Sequence, residues 1–327
     1  MGPEYYVYNL QGDPTSLEET LSSPNSGFWK EAINDEMDCI ISNNTWKLVD
    51  LPRGCKTIGC KWVLRRKLKP DGSIEKFKAR LVTKGFKQKE DIDFFDTFSP
   101  VTKVTSIRLL IAIVAIHNLM IHQIDVTMTF LNGDLEEEIY MDQPKGFTMP
   151  GNEHKVCKLL KSLYGLKQAP RQWHEKFDQC LLSNGFKTNE SDKCIYYKNF
   201  DDAHVIICLY VDDLLIFSPN MDIINAAKML LKNNFDMNDL GEANVILSMK
   251  ISRTSNGICR SISLYRKNFE KNIIILIVNL QVFLLTLVCI FFLLKMKMIF
   301  TIKRNMLVSL VVLNMLLIVL ELILLMP

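Results

Sequence analysis

The amino-acid sequence predicts an α+β fold, because segments of helical periodicity alternate with short apolar runs and hairpin turns. Hydrophobic residues make up 48% of the 327-residue chain and charged residues 23%, which is typical of a globular protein with a sizeable core. The first segment with helical spacing of apolar residues runs from Phe28 to about Ser42. Two β-rich runs follow at 57–68 and 74–84, and the Pro70-Asp71-Gly72 sequence between them predicts a hairpin.

Further along the chain, apolar spacing and capping residues predict three more helices and three more strands. These elements are a helix at about 105–116 that Thr105 can cap, a strand at 121–126, a helix from about Pro170 that ends before Gly185, strands at 205–210 and 214–217, and a helix at about 224–235. The tight turn between the last two strands contains Val211, Asp212 and Asp213.

The composition changes abruptly near residue 272, and segment 266–327 is predicted to be a separate apolar tail. Two apolar blocks, 273–294 and 306–326, are each long enough to span a bilayer, with basic residues between them. A shifted reading frame is the alternative, because the codons of Leu, Ile, Val, Met and Phe all have thymine at the middle position. We favour the shifted frame, since it explains the abrupt change better than a membrane anchor does.

Positive charge is concentrated in segment 61–89, which contains eleven basic residues and only two acidic ones, a net charge of +9. Because this segment covers the predicted hairpin, the charge favours binding of a nucleic-acid backbone or a polyphosphate there. A solvated, charged hairpin is the alternative. The nine cysteines are dispersed without a CxxC pair, which indicates reduced, packed thiols in an intracellular and cytoplasmic protein.

Paired acids between two apolar runs are the sharpest local signal in the sequence. Asp212 and Asp213 lie between such runs, and Asp125 ends another. Buried carboxylates are unfavourable without a partner, and hard cations such as Mg²⁺ prefer oxygen ligands. Together the two sites can place three carboxylates around a pair of magnesium ions. The alternatives are an ordinary Asp-containing turn and a strand-end cap.

The order of these acids and of the motifs around them resembles the reverse transcriptase of Ty1/copia retrotransposon polyproteins. The resemblance runs from about Gly12 to Leu264 and is specific, because many motifs match in order. The matching motifs are segments 46–49, 59–63, 78–86, 95–101, 130–135, 162–173 and Tyr210-Val211-Asp212-Asp213.

The resemblance implies a right-hand polymerase, with fingers and palm over 28–265 and a polyprotein leader over 1–27. It implies that Asp125, Asp212 and Asp213 are the catalytic residues and hold two Mg²⁺ ions, with Mn²⁺ as an alternative. The implied substrates are deoxynucleoside triphosphates and a primed RNA or DNA template.

Further residues match nucleotide-binding positions of the family. Phe130 matches an aromatic residue that blocks a 2′-hydroxyl, and its alternative role is that of an ordinary core Phe. Among the basic residues implied to bind the triphosphate, Arg80 is our first choice, because a guanidinium binds phosphate through two parallel hydrogen bonds. A solvated charge is the alternative for each lysine. The other residues implied to bind nucleotide are Lys78, Lys84, Gly165, Lys167 and Tyr210.

The sequence also departs from the family pattern. Thr127-Met128-Thr129 replaces Lys-Thr-Ala after Asp125, and Ser248 replaces a Gly. The pattern ends after Leu264, so we expect the thumb and any RNase H domain to be missing. Three hypotheses remain open: an active polymerase, an inactive polymerase relic, and a membrane-anchored protein that uses the apolar tail. We favour the relic, because a primer–template without a thumb would be poorly clamped.

Overall fold

The computed structural model describes residues 13–69, 72–200, 203–243, 245–246, 249–254 and 257–262, which form a mixed arrangement of helices and strands. The α-helices are α1 (Leu17–Ser22), α2 (Ser26–Ser42), α3 (Val104–His117), α4 (Ala169–Ser183) and α5 (Met221–Lys232). The strands are β1 (Trp46–Val49), β2 (Thr57–Ile58), β3 (Cys60–Leu68), β4 (Ile74–Thr83), β5 (Met120–Val126), β6 (Tyr140–Met141), β7 (Val156–Leu159), β8 (Lys187–Thr188), β9 (Ile195–Phe200), β10 (Ala203–Tyr210), β11 (Asp213–Ser218), β12 (Met237–Glu242), β13 (Val245–Ile246), β14 (Met249–Thr254) and β15 (Gly257–Ile262).

The described residues divide into two compact units. Unit one contains the residues up to Ser99 together with Met128–Asp178. Unit two contains Pro100–Thr127 and the described residues from Gln179 onward. Each unit therefore contains two segments that are distant in the sequence.

Unit one is built around the hairpin predicted from the basic segment. Strands β3 and β4 pair antiparallel from Cys60 opposite Thr83 to Leu68 opposite Ile74, which confirms the predicted hairpin. Helix α2 packs on β4 through its apolar face, and the helix predicted to begin near Phe28 is also confirmed. The core beneath them includes the buried residues Trp29, Ile33, Trp62 and Leu81. A second sheet in this unit has the strand order β1-β7-β6-β2.

Unit two is built on a six-stranded sheet with the order β12-β5-β11-β10-β9-β8. Strands β10 and β11 are buried along nearly their whole length, which explains why their sequences are almost continuously apolar. Helix α3 covers one face of this sheet, where Leu110 and Val114 share a core with Ile121 and Phe217. The sheet therefore holds the ends of β5 and β11, which carry the predicted acids, on a rigid support.

The beginning of helix α3 differs from the prediction that Thr105 caps it. The N-cap residue is Lys103, and its side chain makes no capping hydrogen bond. Asp192 contacts this end of the helix, because its Oδ2 accepts hydrogen bonds from the Lys103 backbone N–H at 3.1 Å and from Ser106 Oγ at 2.7 Å. The prediction was wrong because the helix begins at Val104, which places Thr105 inside its first turn.

The leader segment 1–27 contains a short helix that the sequence analysis missed. Ser16 caps α1 by accepting a hydrogen bond from the Glu19 N–H at 3.1 Å. The predicted apolar tail at 266–327 and the Ser248 substitution both lie outside the described residues. Among the described helices, none combines the length and the apolar character that a bilayer-spanning segment needs.

Candidate active site

The turn between β10 and β11 carries the paired aspartates of unit two. Tyr210 and Asp213 form the last pair of the hairpin, so Val211 and Asp212 are the two central turn residues. The prediction had included Asp213 in the turn, whereas it is the first residue of β11. Val211 has φ of +55°, a left-handed conformation that is unfavourable for a β-branched side chain. Such backbone strain costs on the order of 1–3 kcal/mol and is concentrated at functional sites.

The third predicted acid, Asp125, lies on the strand next to this turn. Strand β11 pairs antiparallel with β5, and Asp213 is directly opposite Asp125. The Val126 N–H donates a hydrogen bond to the Asp212 carbonyl oxygen at 2.9 Å, which ties the turn to the end of β5. All three aspartates are half-buried. The fold thus brings together at one end of the sheet three acids that the sequence analysis selected separately.

Like charges directly opposite each other in an antiparallel pair are destabilising. Asp125 and Asp213 are in this relationship, and residues directly opposite each other share one face of the sheet. A cation between the carboxylates would remove the repulsion, and carboxylate oxygens are the ligands that Mg²⁺ prefers. The donor set therefore fits a hard divalent cation. Within the described ranges, no group of three or more His, Cys, Asp or Glu side chains is already arranged as a metal-binding cluster.

Gln123 is a site residue that the sequence analysis missed. Its Nε2 donates a hydrogen bond to Asp213 Oδ1 at 3.0 Å. Gln123 lies two residues before Asp125 on β5, so both side chains project from the same face. This alternation was the one available signal, since a polar residue two positions before a strand-end acid shares its face. Gln123 orients the Asp213 carboxylate.

In unit one, Tyr164 brings together two of the predicted nucleotide-binding residues. The Arg80 guanidinium carbon lies 4.6 Å from the centroid of the Tyr164 ring, a cation–π contact. Phe130 packs edge-on against the same ring, with centroids 4.9 Å apart and an interplanar angle of 71°. Phe130 is only partly buried, so it is not a fully buried core residue. Tyr164 itself was missed by the sequence analysis, although it precedes Gly165 in a motif that was recognised.

Gly165 allows a close approach of two backbone segments within unit one. It has φ of +94°, and a Cβ at this position would lie 2.2 Å from the Thr83 carbonyl oxygen. The Thr83 N–H donates to the Tyr164 carbonyl oxygen at 2.7 Å, so the loop is fixed to the end of β4. The prediction that glycine permits backbone approach is consistent with this geometry, and the approaching backbone is the chain's own strand β4.

The predicted lysines and Tyr210 occupy different surroundings. Lys167 lies with Nζ 4.5 Å from the centroid of the Phe94 ring. The Lys84 side chain runs along Gly59, where an added Cβ would lie 3.2 Å from Lys84 Cδ. Lys78 is opposite Arg65 in the β3–β4 hairpin. Tyr210 is the half-buried last residue of β10, opposite Asp213 in unit two.

Comparison with known proteins identifies the family. The family model described as "Reverse transcriptase (RNA-dependent DNA polymerase)" matches residues 43–280. The chain is 48% identical over 251 residues to the Retrovirus-related Pol polyprotein from transposon TNT 1-94 of Nicotiana tabacum, a match that covers 76% of this chain and 19% of the relative. It is 38% identical over 231 residues to the polyprotein from transposon RE1 of Arabidopsis thaliana, covering 70% of this chain and 16% of the relative.

A more distant relative is the Truncated transposon Ty1-A Gag-Pol polyprotein of Saccharomyces cerevisiae, 30% identical over 222 residues, a match that covers 65% of this chain and 18% of the relative. The chain thus spans less than a fifth of the length of these relatives. The resemblance that the motifs indicated is confirmed by these matches. The chain belongs to the reverse transcriptase (RNA-dependent DNA polymerase) family, in the form found in retrotransposon Pol polyproteins.

Proposed function

We propose that this chain carries the nucleotide-adding site of a reverse transcriptase, with unit two as the palm and unit one containing the fingers. The reaction is attack of a primer 3′-hydroxyl on the α-phosphorus of a deoxynucleoside triphosphate, with release of pyrophosphate, on an RNA or DNA template. The observation that carries the proposal is the placement of Asp125 directly opposite Asp213, beside a strained turn that contains Asp212. An arrangement of opposed carboxylates is unfavourable unless a cation binds to it.

The three aspartates have different parts in this proposal. Asp125 and Asp212 are the main ligands of two Mg²⁺ ions, and Asp213 completes the set of carboxylates. Gln123 orients the Asp213 carboxylate. When bound, such ions lower the pKa of the attacking hydroxyl and stabilise the charge of an in-line phosphoryl transfer. The sheet contributes rigidity, because β5 and β11 are paired over six residues from Asp213 opposite Asp125 to Ser218 opposite Met120.

The nucleotide-binding part of the proposal rests on strand β4 and the Tyr164 ring. Arg80 binds the triphosphate through its planar guanidinium, and the ring holds that guanidinium in place. Phe130, which packs on the same ring, excludes a 2′-hydroxyl and so favours deoxynucleotides. Lys78, Lys84 and Lys167 add positive charge near this strand, while Gly165 fixes the loop that supplies Tyr164.

Primer extension with the full chain tests this function. With Mg²⁺, an RNA template and a DNA primer, we expect incorporation that Asp212→Asn reduces at least about a hundredfold, because a metal ligand is lost. The matched control is Asp222→Asn, which removes the same charge from the exposed first turn of α5. Equal activity of Asp212→Asn and the control would contradict the proposal. A folded wild-type chain that incorporates no nucleotide would instead support the inactive relic.

A further inference from the structure

Glu36 is a buried carboxylic acid on a helix that otherwise packs through apolar residues. Glu36 is only 3% exposed to solvent, and its neighbours on the buried face of α2 are Ile33, Met37 and Ile40. The Leu81 backbone N–H donates to Glu36 Oε1 at 3.1 Å. An acidic residue is rarely buried among apolar side chains unless it makes a specific contact there, because burying a carboxylate is unfavourable.

The hydrogen bond from Leu81 lies on the outer edge of strand β4. One edge of β4 pairs with β3 over the whole hairpin. On the other edge, the Leu81 N–H donates a hydrogen bond to the Glu36 carboxyl group. The Thr83 N–H donates a hydrogen bond to the Tyr164 carbonyl oxygen at 2.7 Å. The side chain of Thr83 donates to the same carbonyl oxygen at 3.1 Å. Two successive outward N–H groups are therefore satisfied by groups from two different elements.

Arg80 is the residue whose position depends on this edge. It directly precedes Leu81, and its guanidinium lies over the Tyr164 ring at 4.6 Å. Tyr164 is in turn fixed to β4 by its own carbonyl oxygen. A shift of β4 at Leu81 would move Arg80 relative to the ring, and Phe130 packs on that same ring. The contacts of Glu36 and of Tyr164 thus hold the outer edge of the strand at both ends of the Leu81–Thr83 segment.

The charges around Glu36 support the same conclusion. Burial raises the pKa of its carboxyl to about 7, against the opposing effects of the Leu81 N–H and of the positive charges of Arg80 and Lys78. The two cations that act on the Glu36 carboxyl, Arg80 and Lys78, are thus β4 residues that match triphosphate-binding positions. An apolar side chain at position 36 would fill the space but would leave the Leu81 N–H buried without an acceptor.

We propose that Glu36 is a positioning residue for nucleotide binding, which fixes the outer edge of β4 so that Arg80 remains stacked on Tyr164. The inference rests on the proposed function and deepens it, because it assigns a residue 44 positions away from Arg80 to the triphosphate-binding step. Glu36 touches neither substrate nor metal in this scheme. It acts through the strand that carries Arg80.

Steady-state primer extension by the full chain distinguishes a positioning role of Glu36 from general structural support. We expect Glu36→Leu to raise the KM for the deoxynucleotide about five- to tenfold, while kcat and the KM for primer–template stay within about twofold of wild type. Glu36→Gln keeps an oxygen acceptor for the Leu81 N–H, so its deoxynucleotide KM should remain within about twofold of wild type. The matched control is Asp38→Asn, an exposed acid on the same helix.

A double-mutant cycle tests whether Glu36 acts through Arg80. In an Arg80→Ala background, Glu36→Leu should cause no further increase in deoxynucleotide KM, because the residue it positions is already absent. A full, additive increase in that background would overturn the proposal. It would also be overturned by a folded Glu36→Leu chain with wild-type deoxynucleotide KM, or by a fall in kcat that matches the loss of folded protein.

Amide hydrogen exchange tests the positioning without any catalytic activity. In the full chain, Glu36→Leu should increase exchange at least about tenfold at Leu81 and Thr83, whereas Glu36→Gln and Asp38→Asn should leave it near wild type. Unchanged protection of these amides in Glu36→Leu would overturn the inference. If the wild type extends no primer but the exchange result is as expected, the proposed function fails while the positioning of β4 by Glu36 stands.

Discussion

The Gln123 side chain donates a hydrogen bond to Asp213 across two adjacent strands, with 3.0 Å between Nε2 and Oδ1. Gln123 precedes Asp125 by two positions on β5, and Asp125 is directly opposite Asp213. One strand therefore supplies both an acid of the candidate site and the group that orients the acid on the neighbouring strand. This relationship makes β5 the organising element of the site.

The first prediction concerns that hydrogen bond. Gln123→Leu should lower kcat for primer extension about tenfold, because the Asp213 carboxylate loses its fixed orientation and positioning dominates phosphoryl transfer. The deoxynucleotide KM should change by less than about threefold. Steady-state kinetics measure both, with Gln179→Leu at an exposed position as the control. A kcat equal to that of the control would show that Asp213 does not depend on Gln123.

The second prediction concerns the strained turn. Val211→Gly removes the steric cost of the left-handed conformation at φ of +55°, but it also makes the unfolded chain more flexible. The two effects oppose each other, so the free energy of unfolding should stay constant or rise by about 1 kcal/mol. Urea denaturation measures it, with Val205→Gly in the buried strand β10 as a comparison that should be clearly destabilising. A loss of more than about 2 kcal/mol in Val211→Gly would refute the strain argument.

The third prediction is a pH dependence of stability caused by Glu36. Its pKa is raised from 4.5 to about 7 in the folded chain, so the folded state binds this proton more tightly than the unfolded state does. The stabilisation is complete below pH 4.5 and is lost as the pH rises through 7. Glu36→Gln, which stays neutral, should therefore be more stable than wild type at pH 8 by up to about 3 kcal/mol.

The difference between wild type and Glu36→Gln should narrow to less than about 1 kcal/mol at pH 5, where both side chains are largely neutral in the folded state. Urea denaturation at the two pH values measures it. Asp38→Asn provides the comparison, because Asp38 is exposed on the same helix and should show no such dependence. A wild-type chain that is the more stable of the two at pH 8 would reverse the sign and contradict the burial of Glu36.

The fourth prediction concerns the backbone crossing at Gly165. Gly165→Ala should destabilise the chain by about 3 kcal/mol or more, because the added Cβ would lie 2.2 Å from the Thr83 carbonyl oxygen. Gly54 is a matched control, with a similar φ of +86° and nothing within 4 Å of an added Cβ. Gly54→Ala should cost only about 1 kcal/mol, as expected for backbone strain alone. Similar losses in thermal or urea denaturation would show that β4 is not in close contact with this loop.

Local periodicity was sufficient to predict several elements of the fold. Helix α2, the β3–β4 hairpin and the strands β10 and β11 follow from apolar spacing and turn residues, which depend on near neighbours in the chain. The contact of Asp192 with the beginning of α3 could not be predicted in this way. Asp192, which accepts a hydrogen bond from the Lys103 N–H, is 89 residues from Lys103, and only the folded chain brings the two together.

The sequence by itself determined that Asp125, Asp212 and Asp213 lie at the ends of apolar strands, and its motifs determined the family. Only the tertiary structure decided that Asp125 stands opposite Asp213, because strand register depends on how both strands pack on a common core. It also decided that Arg80 and Phe130 both contact the Tyr164 ring, and that Glu36 is buried against β4. In the sequence Glu36 resembles any exposed helical acid, since burial is a property of the packing partner and not of the residue.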